Sequence, residues 1–366
     1  MKPTGGAAKD VFVWLLLFVP VSLGVAYATS PESAWTFAAA IVAIVPLAEW
    51  IRRATDHLAQ RAGPAIGGLL NVSFGNAAEL ILALFVLAAG KSEVVKAQLT
   101  GSIIGNSFLG LGLAIAVGSI GRDKQTFKRE RAGQLSSLLI LAMIALLLPA
   151  FFDFAVRGSG RAGRGALDEH LSLAVSVVLI IVYVANLIYT LVTHKSVFEF
   201  HEDAGADDDH GRVAWPLWVS LGVLAAGTAV TALEAELVAG ALESTATSLG
   251  LSEFFLGVIV LAVVGNAAEY FSAAYFARQG RMGLAISITV GSSIQIALLM
   301  APLLVIVSAF TAHPMNLVFS SPLELIAVAA VAFAVNSIVQ DGETTWFEGV
   351  LLLSIYALFG VAFYFL

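Results

Sequence analysis

Hydrophobic residues in this chain fill long, almost uninterrupted runs separated by short polar breaks; they do not alternate or mark one helical stripe. A membrane-spanning helix needs about 20 consecutive, mostly apolar residues. Eleven runs reach that class: 11–29, 34–51, 65–89, 95–119, 132–152, 171–193, 214–242, 253–277, 283–309, 321–340 and 345–366. Reading each as a helix predicts an all-α polytopic membrane protein with eleven transmembrane helices. The six tryptophans (Trp14, Trp35, Trp50, Trp215, Trp218 and Trp346) fall near run ends, where indole favours the headgroup level. No small-residue cleavage pattern follows the first run, so it reads as a retained helix and not a signal peptide.

Alternating crossings sort the basic residues onto two sides. The side of the N-terminus, side A, carries fourteen: Lys2, Lys9, Arg52, Arg53, Arg61, Arg122, Lys124, Lys128, Arg129, Arg131, Lys195, Arg212, Arg278 and Arg281. Side B carries five: Lys91, Lys96, Arg157, Arg161 and Arg164. The positive-inside rule makes side A cytoplasmic and leaves the C-terminus outside.

Composition agrees with a bilayer. Of the 366 residues 59% are hydrophobic and 12% charged, about half the charge of a soluble domain, too little for a polar skin. A net charge of −7 without a basic stripe argues against nucleic acid as a partner. The absence of cysteine excludes disulfides, thiolate metal sites and thiol catalysis.

A repeat organises the runs. Gly75-Asn76-Ala77-Ala78-Glu79 recurs as Gly265-Asn266-Ala267-Ala268-Glu269, an offset of 190 that also maps Gly67 to Gly257, Gly90 to Gly280, Gly101 to Gly291, Ser102 to Ser292 and Ile104 to Ile294. Run 65–89 starts from side A and run 253–277 from side B, so the copies are inverted, as in secondary transporters with a midplane site. The predicted domains are residues 1–33 (tail and first helix), 34–193 (first five-helix repeat), 194–213 (an acidic cytoplasmic linker) and 214–366 (second five-helix repeat). The linker holds Glu199, Glu202, Asp203, Asp207, Asp208 and Asp209. It reads as a solvated connection; the alternative, a cation sensor, lacks the acid spacing of an EF-hand loop.

Glu79 and Glu269 are the two carboxylates in the middle of long apolar runs. A carboxylate at mid-bilayer costs several kcal/mol unless paired or protonated, and no Lys or Arg is expected at matching depth. Asn76 and Asn266 each precede their glutamate by three residues, which puts amide and carboxylate on one helix face. The two halves together offer four hard oxygen ligands, and calcium takes 6–8 oxygens with tolerant geometry. Backbone carbonyls freed near Gly75 and Gly265 are expected to add to these. Gly101, Ser102, Gly291 and Ser292 serve equally for close helix packing; Asn106 and Gln295 are more polar than packing requires and are expected to line the site. Glu49, Glu234, Glu236, Glu324 and Glu348 lie within reach of helix ends and are expected to be solvated, with Glu236 and Glu324 candidates for an ion access path. No nucleophile–base pair or metal–histidine set lies at membrane depth, so neither an enzyme nor a bound cofactor is expected.

The stretches AIGGLLNVSFGNAAELI (Ala65 to Ile81) and VVGNAAE with VGSSIQIALL (within Phe255 to Leu299) resemble the two repeat motifs of the calcium/cation–proton exchanger family, and the ending around Asp341-Gly342-Glu343 and Trp346-Phe347-Glu348-Gly349 is also similar. The resemblance covers nearly the whole chain from about Pro46. It implies eleven helices, an inverted repeat, an acidic segment between halves and calcium export driven by proton entry, with Glu79 and Glu269 binding the cation and taking the protons. Tyr270 stands where the family often has histidine, and Asn316 where it often has aspartate. The long N-terminal extension of plant and fungal vacuolar members is missing, so a prokaryotic plasma membrane is expected. Calcium, protons and lipid are the expected partners, and a homo-oligomer is left open. A sodium/calcium exchanger of the same superfamily and a cation channel are the rival readings.

The alternation of charge makes one prediction directly. A C-terminal reporter that is active only in the cytoplasm should stay silent; a bright signal would sink the count of eleven crossings.

Overall fold

The computed structural model describes residues 12–157, 164–193, 215–319 and 321–366. The apolar runs form helices because a backbone in hydrocarbon must satisfy its hydrogen bonds within the segment. In chain order these are α1 (Phe12–Ala28), α2 (Ala34–Phe74), α3 (Ala77–Ala88), α4 (Ser92–Gly118), α5 (Arg129–Arg157), α6 (Arg164–Ile188), α7 (Leu217–Leu249), α8 (Glu253–Arg278), α9 (Met282–Ser308), α10 (Pro322–Val339) and α11 (Trp346–Tyr364). Strands β1 (Gln125–Thr126) and β2 (Glu343–Thr344) pair antiparallel. The acidic linker 194–213 lies outside the described residues.

Among the described residues, nine helices are long and apolar enough to cross a membrane, while α1 and α3 are shorter. The expected third crossing, 65–89, is not one helix. It is divided between the end of α2 and α3 by a turn at Gly75 and Asn76. Glycine carries a large entropic cost in a helix, and an asparagine side chain competes for backbone partners, so this dipeptide is a weak link. The chain also turns back within α2. A Cβ on Gly67 would lie 2.4 Å from the Ala59 carbonyl oxygen, whereas a straight helix separates residues eight apart by about 12 Å.

Element boundaries recur at the offset of 190. The helical segments of α3 and α8 end at Ala88 and Arg278, α4 and α9 begin at Ser92 and Met282, and α4 and α9 end at Gly118 and Ser308. Gly90 and Gly280 both adopt left-handed φ, 79° and 83°, in the turns between them. Both α4 and α9 contain a π-helical segment, Gly105–Gly110 and Ile296–Met300. Such segments are rare and often mark functional sites.

Charged contacts fall into two groups that match sides A and B. Lys91, after α3, binds Glu243 at the end of α7 and Glu253 at the start of α8, each at 2.9 Å. The hydrogen bonds it donates to Glu253 and then Glu243 hold the Lys91 ammonium above its ordinary pKa. Lys96 donates to Asn316 Oδ1 (3.3 Å) and to the Val318 carbonyl (2.7 Å). On the other face Lys124 pairs with Glu343 at 2.6 Å beside the β1–β2 ladder, and Arg122 donates to the Arg278 carbonyl at 3.0 Å.

Several carboxylates expected to be solvated are not. Glu49 is buried between Arg52 and Arg53. Glu324 is buried, closing a capping box with Ser321 and accepting from Thr100 at 3.1 Å. Glu234 is buried against Ser22 of α1. Glu236 is exposed.

Small residues set the closest approach of helices from the two halves. A Cβ on Gly101 of α4 would sit 1.9 Å from the Val258 carbonyl of α8, and one on Gly257 of α8 would meet the Val94 carbonyl of α4 at 2.8 Å. Gly291, related to Gly101 by the repeat, has nothing within 4 Å of that position. Gly101→Ala should therefore destabilise the fold by about 1–3 kcal/mol or more through overpacking, and Gly291→Ala should not. Thermal unfolding of the two purified variants checks this; equal melting temperatures would contradict the packing.

Candidate functional site

The site lies where α3, α4, α8 and α9 meet. Glu79 emerges in the first turn of α3, directly after the Gly75–Asn76 break. Its side chain lies on Gly265 of α8, where a Cβ would come within 3.3 Å of Glu79 Cγ. Gly265 precedes Glu269 by four residues, about 6 Å along a helix. The two motif glutamates, from the two copies of the repeated pentapeptide, thus come onto adjoining helix turns.

A continuous polar network surrounds Glu79. Ser102 donates to its Oε1, and Asn266 Nδ2 lies 3.3 Å from the same oxygen. Asn266 Nδ2 also lies 3.0 Å from Ser102 Oγ and 2.9 Å from the Ala262 carbonyl. Asn106 donates to Asn266 Oδ1 (2.9 Å) and to Ser292 Oγ (3.0 Å), and Asn76 donates to Ser292 Oγ at 3.1 Å. Glu79, Ser102, Asn106, Asn266 and Ser292 are all buried. Among the described residues, the buried oxygens without a hydrogen-bond partner include Glu79 Oε2, Glu269 Oε2 and Asn106 Oδ1. Unpartnered buried oxygens of this kind are costly, and carboxylate and amide oxygens are hard ligands suited to calcium or a proton. Among the described residues no group of three His, Cys, Asp or Glu could hold a metal, so a cation here would depend on the two carboxylates together with amide, hydroxyl or backbone oxygens.

Glu269 faces a cavity of about 650 Å3, open mouth included, lined among others by Arg52, Asp56, Gly75, Asn76, Ser292 and Gln295. Ser272, Ser287 and Gly291 also line it. Glu79 is outside that lining and 1% exposed. One glutamate is therefore approached from side A, and the other lies behind it.

The sequence-derived candidates are all brought together here: Glu79, Asn266, Ser102, Asn106 and Ser292 in the network, Asn76 at its edge, and Gly75, Gln295 and Glu269 on the cavity. Two expectations are corrected. Gly265 lies inside a continuous helix, so it frees no carbonyl; its function is steric, admitting Glu79. A cationic residue also reaches the site: Arg52 lines the cavity with Glu269, because its helix continues past the apolar run, although Glu49 (2.9 Å) and Asp56 (2.8 Å) hold its guanidinium. Tyr270 was noted only as a departure from the family pattern. Its ring packs across the π-segment of α4, so that a Cβ on Gly105 or Gly110 would strike it at 2.4 or 2.7 Å. The glycine spacing in GNSFLG is a trace of this contact in the sequence, and it has meaning only with a partner distant in the chain.

A helix broken at Gly75 and Asn76, a buried polar core with two carboxylates and a cavity reaching one of them are features of a membrane transporter. The chain belongs to the sodium/calcium exchanger protein family, which it matches over residues 32–192 and 219–365. It is 42% identical to the Ca2+/H+ antiporter of Aphanothece halophytica over 98% of this chain and 97% of that protein. It is 41% identical to the Ca2+/H+ antiporter ChaA of Bacillus subtilis strain 168, over 91% and 93%. Its fold matches the structure of native YfkE with a TM-score of 0.82 and 37% identity, covering 97% of this chain and all of that one. The chain is accordingly an integral membrane protein.

Because the chain has no cysteine, access is directly measurable. Ser287→Cys, on the cavity, should react with a membrane-impermeant thiol reagent from side A. Ser107→Cys, fully buried against Ser293, should not; equal labelling of both would refute one-sided access.

Proposed function

We propose that this chain is a secondary active antiporter exchanging Ca2+ for H+, with calcium and protons competing for Glu79 and Glu269. The observation that carries the reading is the meeting of two intramembrane glutamates from separate halves around one polar network, with one of them in a cavity open to side A. Bacterial relatives named as Ca2+/H+ antiporters, aligned over more than nine-tenths of the chain, support the choice of cation pair.

The mechanism is displacement. Without calcium, two closely placed carboxylates shielded from water hold protons, because burial and like charge both disfavour ionisation. Calcium brings two positive charges and releases the protons. In this structure Asn266 turns its nitrogen toward Glu79; with calcium bound, the amides of Asn266 and Asn76 turn their oxygens to the ion. Only the proton-loaded or calcium-loaded site is neutral enough to pass the low-dielectric barrier, which gives exchange and not leak.

The same reading takes α1 as a separate helix, followed by two inverted five-helix halves and eleven crossings in all, with the crossing formed by the end of α2 and α3 counted as one. The boundaries recurring at an offset of 190 and the separation of the charged contacts support it. Side A is then the cytoplasmic face of a prokaryotic plasma membrane.

Calcium uptake into proteoliposomes tests the proposal. An imposed pH gradient should drive it and a sodium gradient should not; the reverse would favour a sodium/calcium exchanger. Glu79→Gln and Glu269→Gln should each abolish coupled exchange, since one carboxylate and one amide cannot both neutralise calcium and return as a protonated pair. Glu243→Gln should cost little, because that residue is 74% exposed. Apparent calcium affinity should fall as pH drops, because protons claim the same oxygens. Undiminished pH-driven flux in both glutamine variants would eliminate the shared site.

A further inference from the structure

A third carboxylate lies at membrane depth, outside the cation site. Glu234 of α7 is fully buried, and its Oε1 is 2.6 Å from Ser22 Oγ of α1. Its depth follows from a second contact between the same elements. Ser244 of α7 donates to the carbonyl of Glu32, in the exposed turn that follows α1 on side B. Glu234 is ten residues before Ser244, about 15 Å along a helix, half the roughly 30 Å hydrocarbon thickness.

The hydrogens at Ser22 can be counted. Its Oγ is also 2.7 Å from the Val19 carbonyl oxygen. A serine hydroxyl has one hydrogen and a carbonyl only accepts. With Glu234 ionised, two short oxygen–oxygen contacts would share a single hydrogen. With Glu234 protonated both are satisfied: the carboxyl donates to Ser22, and Ser22 donates to Val19. The second oxygen agrees, since Glu234 Oε2 is buried without a partner, a costly place for carboxylate charge.

Among the described residues no charged group offsets a carboxylate at this position. On the elements packed against α7, Glu49 and Asp56 are paired with Arg52, and Glu49 also with Arg53. His57 stacks on Trp215, Arg61 is exposed, and Glu79 is held by Ser102 and Asn266. Glu253 and Glu243 bind Lys91, and Glu236 of α7 is exposed. The polar neighbour that Glu234 has in this buried interface is the Ser22 hydroxyl.

We infer that Glu234 is a resident proton-binding site, a neutral acid that donates to Ser22 and ties α1 to α7, and whose proton is not exchanged for calcium. Infrared spectroscopy of the reconstituted full chain near neutral pH tests this at the carbonyl stretch of protonated carboxylic acids. In an E79Q/E269Q background, adding E234Q should remove one further band; in the chain with both glutamates intact, saturating calcium should leave the band at that position unmoved. S22A should shift the band without removing it. E234Q in the otherwise native chain should retain pH-driven exchange at the wild-type level, because the amide donates to Ser22 as the acid does. An unchanged spectrum on adding E234Q would show an ionised residue and overturn the assignment. A band bleached by calcium, or loss of exchange in E234Q, would place Glu234 among the transported-proton carriers and overturn it equally. A band unmoved in S22A would remove Ser22 as the acceptor.

Discussion

An ionised carboxylate held away from water costs several kcal/mol unless the protein gives it donors, a cation or a proton. The arrangement around Glu79 is shaped by that cost. Ser102 and Asn266 face it as donors, and Asn106 fixes Asn266 by occupying its oxygen. Ser292 receives hydrogen bonds from Asn106 and Asn76, which carries the network to the cavity. These residues come from helices far apart in sequence, so the polar core forms only when α4 and α8 cross closely. The glycines permit it: Gly265 makes room for the glutamate side chain, and Gly101 and Gly257 bring the backbones of α4 and α8 together.

Access is less symmetric than the repeat. Glu269 shares a cavity with Arg52, a cation held in place by two acids, while Glu79 is enclosed by donors. Equivalent residues thus sit in unequal surroundings, one at the wet end of the path and one at the dry end. Under the proposed inverted-repeat reading, such inequality is what a single state of the carrier displays.

Much of this was legible in the sequence, for identifiable reasons. Long apolar runs announce spanning helices because hydrocarbon imposes a length, and Glu79 and Glu269 stand out because charge is so costly within such runs. Asn106 and Gln295 were legible as polar residues beyond what packing needs. Arg52 was not, since hydropathy assigns a run boundary and not the direction in which a long side chain reaches. The solvated reading of Glu324 failed because a capping box is completed by a neighbouring helix, here through Thr100. Glu234 was misread similarly: proximity to a run end says nothing of Ser22, more than two hundred residues away. The position of Tyr270 across Gly105 and Gly110 is likewise a tertiary fact.

The pentapeptide Gly-Asn-Ala-Ala-Glu has a further consequence. At 75–79 it interrupts a helix, and at 265–269 it lies within a continuous one. One molecule therefore displays a chameleon segment in two backbone conformations with identical local sequence. Intrinsic propensity is the same for both copies, so the choice belongs to the surrounding contacts. The backbone that presents each glutamate is thus set by neighbours distant in the chain, and not by the pentapeptide itself.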